Sequence, residues 1–152
     1  MYATAEPVEH LDVRLLHPDA RAPERSREGD AGYDLRCLEG FVLEPGGRLL
    51  VSTGVAIALP DGVAGLVLPR SGLAIRHGVT TLNAPGLVDP TYRGEVKVIL
   101  HNAGVEPYEA RAGDRIAQLL LVAYRSPSTR VVDELAPSAD GRADSGFGSS
   151  GR

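Results

Sequence analysis

The chain has 152 residues, a length that suits one compact domain with a single core. Hydrophobic residues make up 43% and charged residues 24%, as in globular proteins, while 18 glycines and 11 prolines indicate many turns and argue against long helices. The formal net charge of -4 argues against a protein that binds nucleic acid stably and nonspecifically, because such binding needs a dominant basic surface.

Residue counts exclude several kinds of chemistry. Cys37 is the only cysteine and the histidines are scattered, so neither a disulfide framework nor a zinc site is expected. We interpret Cys37 as a small buried apolar residue and His77 and His101 as structural residues. Lys97 is the only lysine and does not follow a glycine, which excludes a phosphate-binding loop of the Walker type. An anionic ligand must therefore be met by arginines.

The location of the protein is predicted from its hydropathy pattern. No apolar run approaches the roughly 18 residues of a membrane span. The first seven residues have neither a basic start nor an apolar core, so they do not resemble a secretion signal. We expect a cytoplasmic protein that does not insert into membranes.

The predicted elements are short strands. Apolar and polar residues alternate in residues 11–15, which predicts a strand, and a charged loop over residues 18–30 follows it. Further short apolar runs, separated by glycine and proline turn signals, occupy residues 31–38, 41–43, 49–59, 63–68, 79–82, 96–100 and 116–124. Many short strands at such spacing predict an all-β antiparallel sandwich or barrel.

Three segments need a closer interpretation. Residues 116–122 contain helix-favouring alanine, leucine and glutamine, but the run is short and nearly all apolar, so we predict a buried strand. Residues 80–94 look like a hairpin with polar residues near its tip or ends. Residues 136–152 lose hydrophobic periodicity, which predicts a β domain over residues 1–135 and a flexible tail over 136–152.

Several polar residues are candidate ligand contacts, each with a structural alternative. Arg70, Ser71 and Gly72 could bind phosphate or form an ordinary turn. Asp34 is an acid in an apolar strand and needs a partner, which could be a metal, its waters or an arginine. Gln118 follows a tight turn and could be satisfied locally or presented to a ligand.

The segment over residues 80–94 and the tail carry further candidates. Asn83 and Asp89 could bond only to their own turns and Tyr92 could be a core residue, but their concentration in one segment favours a ligand site. In the tail, glycine N–H groups, serines and an arginine could hold an anion, with Phe147 offering a flat face. The alternative there is a disordered terminus.

In chain order, five segments resemble the signature of the homotrimeric dUTP pyrophosphatases, the dUTPases. They are Ala-Gly-Tyr-Asp-Leu at 31–35, Pro-Arg-Ser-Gly-Leu-Ala at 69–74, the segment 83–94, Gly-Asp-Arg-Ile-Ala-Gln at 113–118 and Arg-x-x-x-Gly-Phe-Gly-Ser-Ser-Gly at 142–151. The resemblance implies a jelly-roll-like β-barrel that forms a homotrimer, with each site built from three chains. It also implies hydrolysis of dUTP to dUMP and pyrophosphate, which limits uracil in DNA and supplies dUMP for dTMP synthesis.

The same resemblance implies a role for each site residue. Asp89 would be the catalytic base, and Asp34 would hold Mg²⁺ through waters. Asn83 would bind the uracil edge, and Tyr92 would lie beneath the deoxyribose. The substrate-binding residues implied in total are Arg70, Ser71, Gly72, Asn83, Tyr92, Lys97, Gln118, Arg142, Phe147, Gly148, Ser149 and Ser150.

Two departures and two alternatives accompany this interpretation. The tail has Ala143 and Ser145 where the family usually has glycines, so closure of the tail could differ, and Cys37 stands where the family usually has a small apolar residue, which should be harmless. A related dCTP deaminase would share the fold but release ammonia, and the tail and the segment 83–94 favour pyrophosphate release instead. A noncatalytic nucleotide-sensing module is the other alternative, and the presence of Asp89 argues against it.

Overall fold

A computed structural model describes residues 10–137 and residue 139, and all but one of the regular elements in this part of the chain are β-strands. Its elements in chain order are β1 (Asp12–Leu15), β2 (Gly32–Arg36), β3 (Phe41–Leu43), β4 (Arg48–Ala58), β5 (Val63–Leu68), α1 (Ser71–His77), β6 (Val79–Thr81), β7 (Gly86–Val88), β8 (Glu95–Asn102), β9 (Tyr108–Ala110) and β10 (Arg115–Ala123). The predicted all-β class is confirmed.

The strands form two four-stranded antiparallel sheets and a separate pair. One sheet has the order β1-β4-β8-β6, the other β2-β10-β5-β7, and β3 pairs with β9. The buried apolar residues of the strands form one core cluster, and in some strands buried and more exposed positions alternate. In β8, Val96, Val98 and Leu100 are almost fully buried whereas Lys97 is exposed. Each such buried side chain stabilises the fold by about 1.5–3 kcal/mol.

The predicted strands agree with the structure in their existence and approximate bounds. Every apolar run singled out in the sequence lies on a strand, and the ambiguous run 116–122 is the buried strand β10. The charged stretch 18–30 is a loop whose one bridge joins Glu24 to Asp34. No helix among the described residues is both long and apolar enough to cross a bilayer. The division at residue 136 stays a prediction.

The predicted hairpin over residues 80–94 is wrong. β6 and β7, the two strands of that segment, belong to different sheets: β6 pairs with β8, and β7 pairs with β5. The turn between them therefore carries the chain from one sheet to the other. Turn signals indicate where the chain reverses, but the partner of each three-residue strand is chosen by distant segments.

Three short elements were not predicted. Residues 71–77 form α1, where the sequence indicated only a turn, because this helix buries a single residue, Leu73, and has no acidic residue in its first turn. Arg76 and His77 in its last turn suit the negative end of the helix dipole. The strands β7 and β9 have three residues each and lie outside the apolar runs that the sequence indicated.

Asn102 stabilises the loops at the end of β8, and its replacement is expected to have a large effect on stability. It is fully buried; its Nδ2 donates to the carbonyls of Leu43 (2.9 Å) and Glu106 (2.8 Å), and its Oδ1 accepts from Gly104 N (2.8 Å). We expect Asn102→Ala to lower the free energy of unfolding by about 3 kcal/mol, because three backbone groups, of which the Leu43 carbonyl is buried, lose their partner. Denaturant unfolding measures it, with Glu109→Ala on an exposed position as the control.

Candidate functional site

Most of the described candidate residues line two separate clefts. The first, which we call the arginine cleft, has a volume of about 410 Å³ and is lined by Ser26, Asp30, Ala31, Gly32, Asp34, Arg70, Ser71, Gly72 and Gln118. The second, the tyrosine cleft, has a volume of about 330 Å³ and is lined by Leu50, Leu87, Val88, Asp89, Tyr92, Glu95, Val96 and Lys97. No residue belongs to both sets.

The central strand β10 brings the arginine cleft together. Gln118 lies opposite Asp34 on β2 and opposite Leu68 at the end of β5, just before Arg70. A register shift between Arg115 and Ala117 lets consecutive apolar residues face the core before Gln118 turns outward. Residues far apart in sequence therefore meet at the end of one sheet.

The side chain of Gln118 is held by a hydrogen bond to Pro69 and lies close to Gly32. Its Nε2 donates to the carbonyl of Pro69 at 2.9 Å, so part of its hydrogen-bonding capacity is used locally. A Cβ atom added to Gly32 would lie 2.5 Å from Gln118 Oε1, so only glycine leaves room for the amide. The side chain is half-buried and remains part of the cleft lining.

Asp34 is the electrostatic centre of the arginine cleft. Its side chain is 14% exposed and has ion pairs with Arg70 (Nε to Oδ1, 3.5 Å) and Arg115 (Nη1 to Oδ2, 3.3 Å). The Ser26 hydroxyl donates to Oδ2 at 2.7 Å. A carboxylate this buried needs such partners. The sequence left open whether Asp34 pairs with arginine, and it does; its contact with a metal through waters stays a prediction.

Tyr92 dominates the tyrosine cleft and is not a core residue, since it is 46% exposed. Its hydroxyl donates to the carbonyl of Glu95 at 2.9 Å, and its backbone N–H donates to the carbonyl of Asp89 at 3.0 Å. A Cβ atom on Gly94 would lie 2.5 Å from Tyr92 Oη. The tight turn and the glycine together hold the aromatic ring at the mouth of the cleft.

Asp89 and Lys97 supply the charges of the tyrosine cleft. Asp89 follows the last residue of β7 and is exposed. The Lys97 ammonium lies 3.5 Å from Glu95 Oε2, and Glu95 Oε1 accepts from Gly54 N at 2.8 Å. An exposed carboxylate thus lies in the same cleft as an ammonium group and a tyrosine.

Asn83 lines neither cleft. It is exposed at the turn between β6 and β7, where its Nδ2 would lie 3.2 Å from a Cβ atom added to Gly86. The structure therefore does not bring Asn83 together with the other candidates in one cleft, and its contact with a base stays a prediction.

The two clefts lie toward opposite ends of β5. Val88, just before Asp89, pairs with Gly65, whereas Arg70 follows the far end of the strand. At about 3.3 Å per residue, Asp89 and Arg70 are therefore roughly 20 Å apart along the strand direction. Within one chain, the carboxylate of Asp89 and the guanidinium of Arg70 are therefore not neighbours.

The remaining candidates divide into structural residues and residues outside the described part. His77 packs against the Tyr108 ring at 5.2 Å, and His101 Nδ1 bonds to the Gly47 carbonyl at 2.9 Å, which confirms their structural interpretation. Burial raises the pKa of the buried Cys37 thiol above its ordinary value. The five predicted tail residues lie outside the described residues; they are Arg142, Phe147, Gly148, Ser149 and Ser150.

The sequence analysis also predicted a Mg²⁺ ion, held by Asp34 through waters. No three His, Cys, Asp or Glu residues within 10–137 and 139 are grouped so that they could ligate a metal ion. In the arginine cleft, Oδ1 of Asp34 is the carboxylate oxygen with the weaker contact, at 3.5 Å from Arg70 Nε. A single carboxylate oxygen of this kind suits Mg²⁺ held by waters and phosphate oxygens, which is how Mg²⁺ is commonly bound.

The sequence did not indicate two residues of the arginine cleft network, Ser26 and Arg115. Ser26 lies in the charged loop 18–30, which has no pattern that points to a site. Arg115 lies within a recognised segment but had no assigned role, although its guanidinium contacts both Ser26 and Asp34. The only available signal was the need of Asp34 for partners.

The sequence and fold are similar to those of known dUTPases. The dUTPase family model matches residues 19–151. The chain is 51% identical over 142 residues to the deoxyuridine 5'-triphosphate nucleotidohydrolase of Thermobifida fusca, covering 93% of this chain and 78% of the relative. For the enzyme of that name from Wolinella succinogenes, identity is 47% over 144 residues, covering 93% and 95%.

Two solved structures share the fold. The dUTPase of Staphylococcus bacteriophage 80alpha with dUPNHPP has a TM-score of 0.87 and 31% identity, covering 95% of this chain and 99% of that one. A mutant dUTPase from phage phi11 of S. aureus, in which a structural Mg(II) ion is coordinated, has a TM-score of 0.77 and 30% identity, covering 82% and 97%.

Proposed function

The chain belongs to the dUTPase family, and from this premise we propose that it hydrolyses dUTP to dUMP and pyrophosphate at sites shared between the subunits of a homotrimer. The observation that carries this proposal is the convergence of Arg70, Asp34 and Gln118 in one cleft of a chain 51% identical to a named dUTP nucleotidohydrolase. Cytoplasmic residence and the supply of dUMP for dTMP synthesis accompany it as predictions.

The arginine cleft is the proposed phosphate site. Arg70 presents a guanidinium fork, which matches phosphate oxygens in a bidentate manner. The Ser71 hydroxyl can donate a further hydrogen bond, and Gly72 lines the cleft beside the Arg76 guanidinium, whose Nη2 would lie 2.8 Å from a Cβ atom added to the glycine. The Gln118 amide would complete this set. These donors compensate for the overall acidic charge of the protein.

The tyrosine cleft is the proposed site of the nucleoside and of the attacking water. Tyr92 would lie beneath the deoxyribose and leave no room for a 2'-hydroxyl, while Asn83 and nearby backbone groups would bond to the uracil edge. Asp89 would accept a proton from a water aligned for attack on the α-phosphorus, with pyrophosphate as the leaving group. Lys97, in the same cleft, would contact the substrate as a cation.

The separation of the two clefts supports a shared site. The triphosphate cannot contact Arg70 and present its α-phosphorus to Asp89 of the same chain without crossing most of β5. A neighbouring subunit can bring its own tyrosine cleft against the arginine cleft. This arrangement makes the homotrimer a condition for catalysis and not only for stability.

Mg²⁺ and the tail complete the proposed site. When bound, Mg²⁺ would offset the negative charge of the phosphate chain. Asp34 Oδ1 would accept a hydrogen bond from a metal-bound water. In the tail, Arg142, Ser149 and Ser150 would hold the outer phosphate, and Phe147 with Gly148 would close over the base and exclude water.

The proposal is tested by product analysis with four nucleotides. Purified protein with Mg²⁺ is incubated separately with dUTP, dCTP, dTTP and UTP, and nucleoside monophosphate, pyrophosphate and ammonia are measured. We expect dUMP and pyrophosphate from dUTP, with much slower hydrolysis of the other three. Ammonia from dCTP would identify a deaminase, and binding of dUTP without turnover would identify a sensing module.

A further inference from the structure

The hydroxyl of Ser26 links two charged side chains of the arginine cleft. It donates to Asp34 Oδ2 at 2.7 Å and accepts from Arg115 Nη1 at 3.0 Å. Arg115 Nη1 is also 3.3 Å from the same carboxylate oxygen. A single small group therefore uses both its donor and its acceptor capacity to hold the pair together.

The two oxygens of Asp34 have different partners as a result. Oδ2 is engaged by Ser26 and Arg115, whereas Oδ1 faces Arg70 Nε at 3.5 Å. If Oδ2 were released, the carboxylate could rotate and pair with either arginine through either oxygen. Arg70 would then lose the fixed anion that orients its guanidinium, which donates from Nη1 to the carbonyl of Arg115 at 3.0 Å.

The loop that carries Ser26 is itself fixed against β2. Asp34 N donates to the carbonyl of Glu24 at 2.8 Å, which is the bridge between loop and strand. The Arg25 guanidinium lies 5.7 Å from the centre of the Tyr33 ring, within the range of a cation–π contact. Backbone and side-chain contacts on both sides of Ser26 thus define its position.

We propose that Ser26 is a positioning residue of the phosphate site, acting through Asp34 on Arg70. Together with Arg115, the Ser26 hydroxyl bonds to Oδ2 of Asp34 and fixes the carboxylate. Oδ1 then faces Arg70 and orients its guanidinium toward the phosphate chain of a nucleoside triphosphate. The proposal rests on the proposed function, because it takes dUTP as the ligand of the arginine cleft. It assigns a role to the loop 18–30, which the recognised motifs do not include.

The test compares the affinity of the wild-type protein and of its variants for dUpNHpp, measured by calorimetry with Mg²⁺ present. We expect Ser26→Ala to raise the Kd about tenfold, because a hydrogen bond to a charged group is lost. Ser26→Thr keeps the hydroxyl and is expected to restore the Kd to within about twofold of wild type, on the same basis. Glu28→Ala, an exposed substitution in the same loop, is the matched control and should leave the Kd unchanged.

A double-mutant cycle separates positioning from a general effect on the fold. If Ser26 acts through Asp34, Ser26→Ala should not weaken dUpNHpp binding further in an Asp34→Ala background. Additive effects in this cycle would overturn the proposal. So would a Ser26→Ala protein with the wild-type Kd, or a Ser26→Thr protein as weak as Ser26→Ala.

Failure of the proposed function is distinguishable from failure of this inference. A wild-type protein that neither binds dUpNHpp nor hydrolyses dUTP would remove the premise. A wild-type protein that does both, while Ser26→Ala is indistinguishable from it, would overturn only the role of Ser26.

Discussion

Asp89→Asn is expected to lower kcat for dUTP about a thousandfold while changing the Kd for dUpNHpp by less than about threefold. The asparagine amide is nearly isosteric with the carboxylate but cannot accept a proton from water. Asp89 is exposed and has no ion pair among the described residues, so the substitution leaves no buried charge without a partner. Steady-state kinetics and calorimetry on the same preparation measure the two quantities.

The control for this experiment is Asp61→Asn. Asp61 is an exposed carboxylate in the turn between β4 and β5, and it lines neither cleft. The Asp61→Asn substitution should leave kcat for dUTP and the Kd for dUpNHpp unchanged. An Asp89→Asn protein with a kcat within tenfold of wild type would contradict the assignment of Asp89 as the base and would point to another group or to water-mediated proton transfer.

Strands that contribute several residues to the core could be predicted from the sequence. In β8 the buried positions alternate, and in β10 the residues form a nearly continuous apolar run, so both strands carry a clear apolar pattern. The short strands β6 and β7 show where this reasoning ends. Three residues specify an extended segment but not its partner, so their assignment to different sheets required the packing of β8 and β5.

The site was predictable to the extent that its residues lie in compact motifs. Arg70, Gln118 and Asp34 stood out in their segments, and the register of β10 explains why they meet. Ser26 was not predicted, because its role arises only when a loop folds back on β2. The family resemblance implies a site built from three chains, but no residue pattern in one chain indicates which candidates share a cleft. The division between two clefts follows from the antiparallel pairing of β5 with β7, which places Asp89 and Arg70 at opposite ends.

This division predicts complementation between two inactive proteins. Arg70→Ala should lose affinity for the phosphate chain and Asp89→Asn should lose turnover, so each variant protein alone should be nearly inactive. If one site takes Arg70 and Asp89 from different chains, subunits exchanged at equal ratio should regain about a quarter of the wild-type activity, because each site then needs the right subunit at two positions. Activity is measured after the two proteins are unfolded together and refolded.

A second mixture makes the result quantitative. Wild-type chains refolded with an equal amount of the Arg70→Ala, Asp89→Asn double variant should retain about a quarter of the activity if the two residues come from different chains, and about half if they come from one. Activity near zero in the first mixture together with about half in the second would place Arg70 and Asp89 of one chain at the same site. Such a result would contradict both the shared site and the offset of roughly 20 Å along the strand.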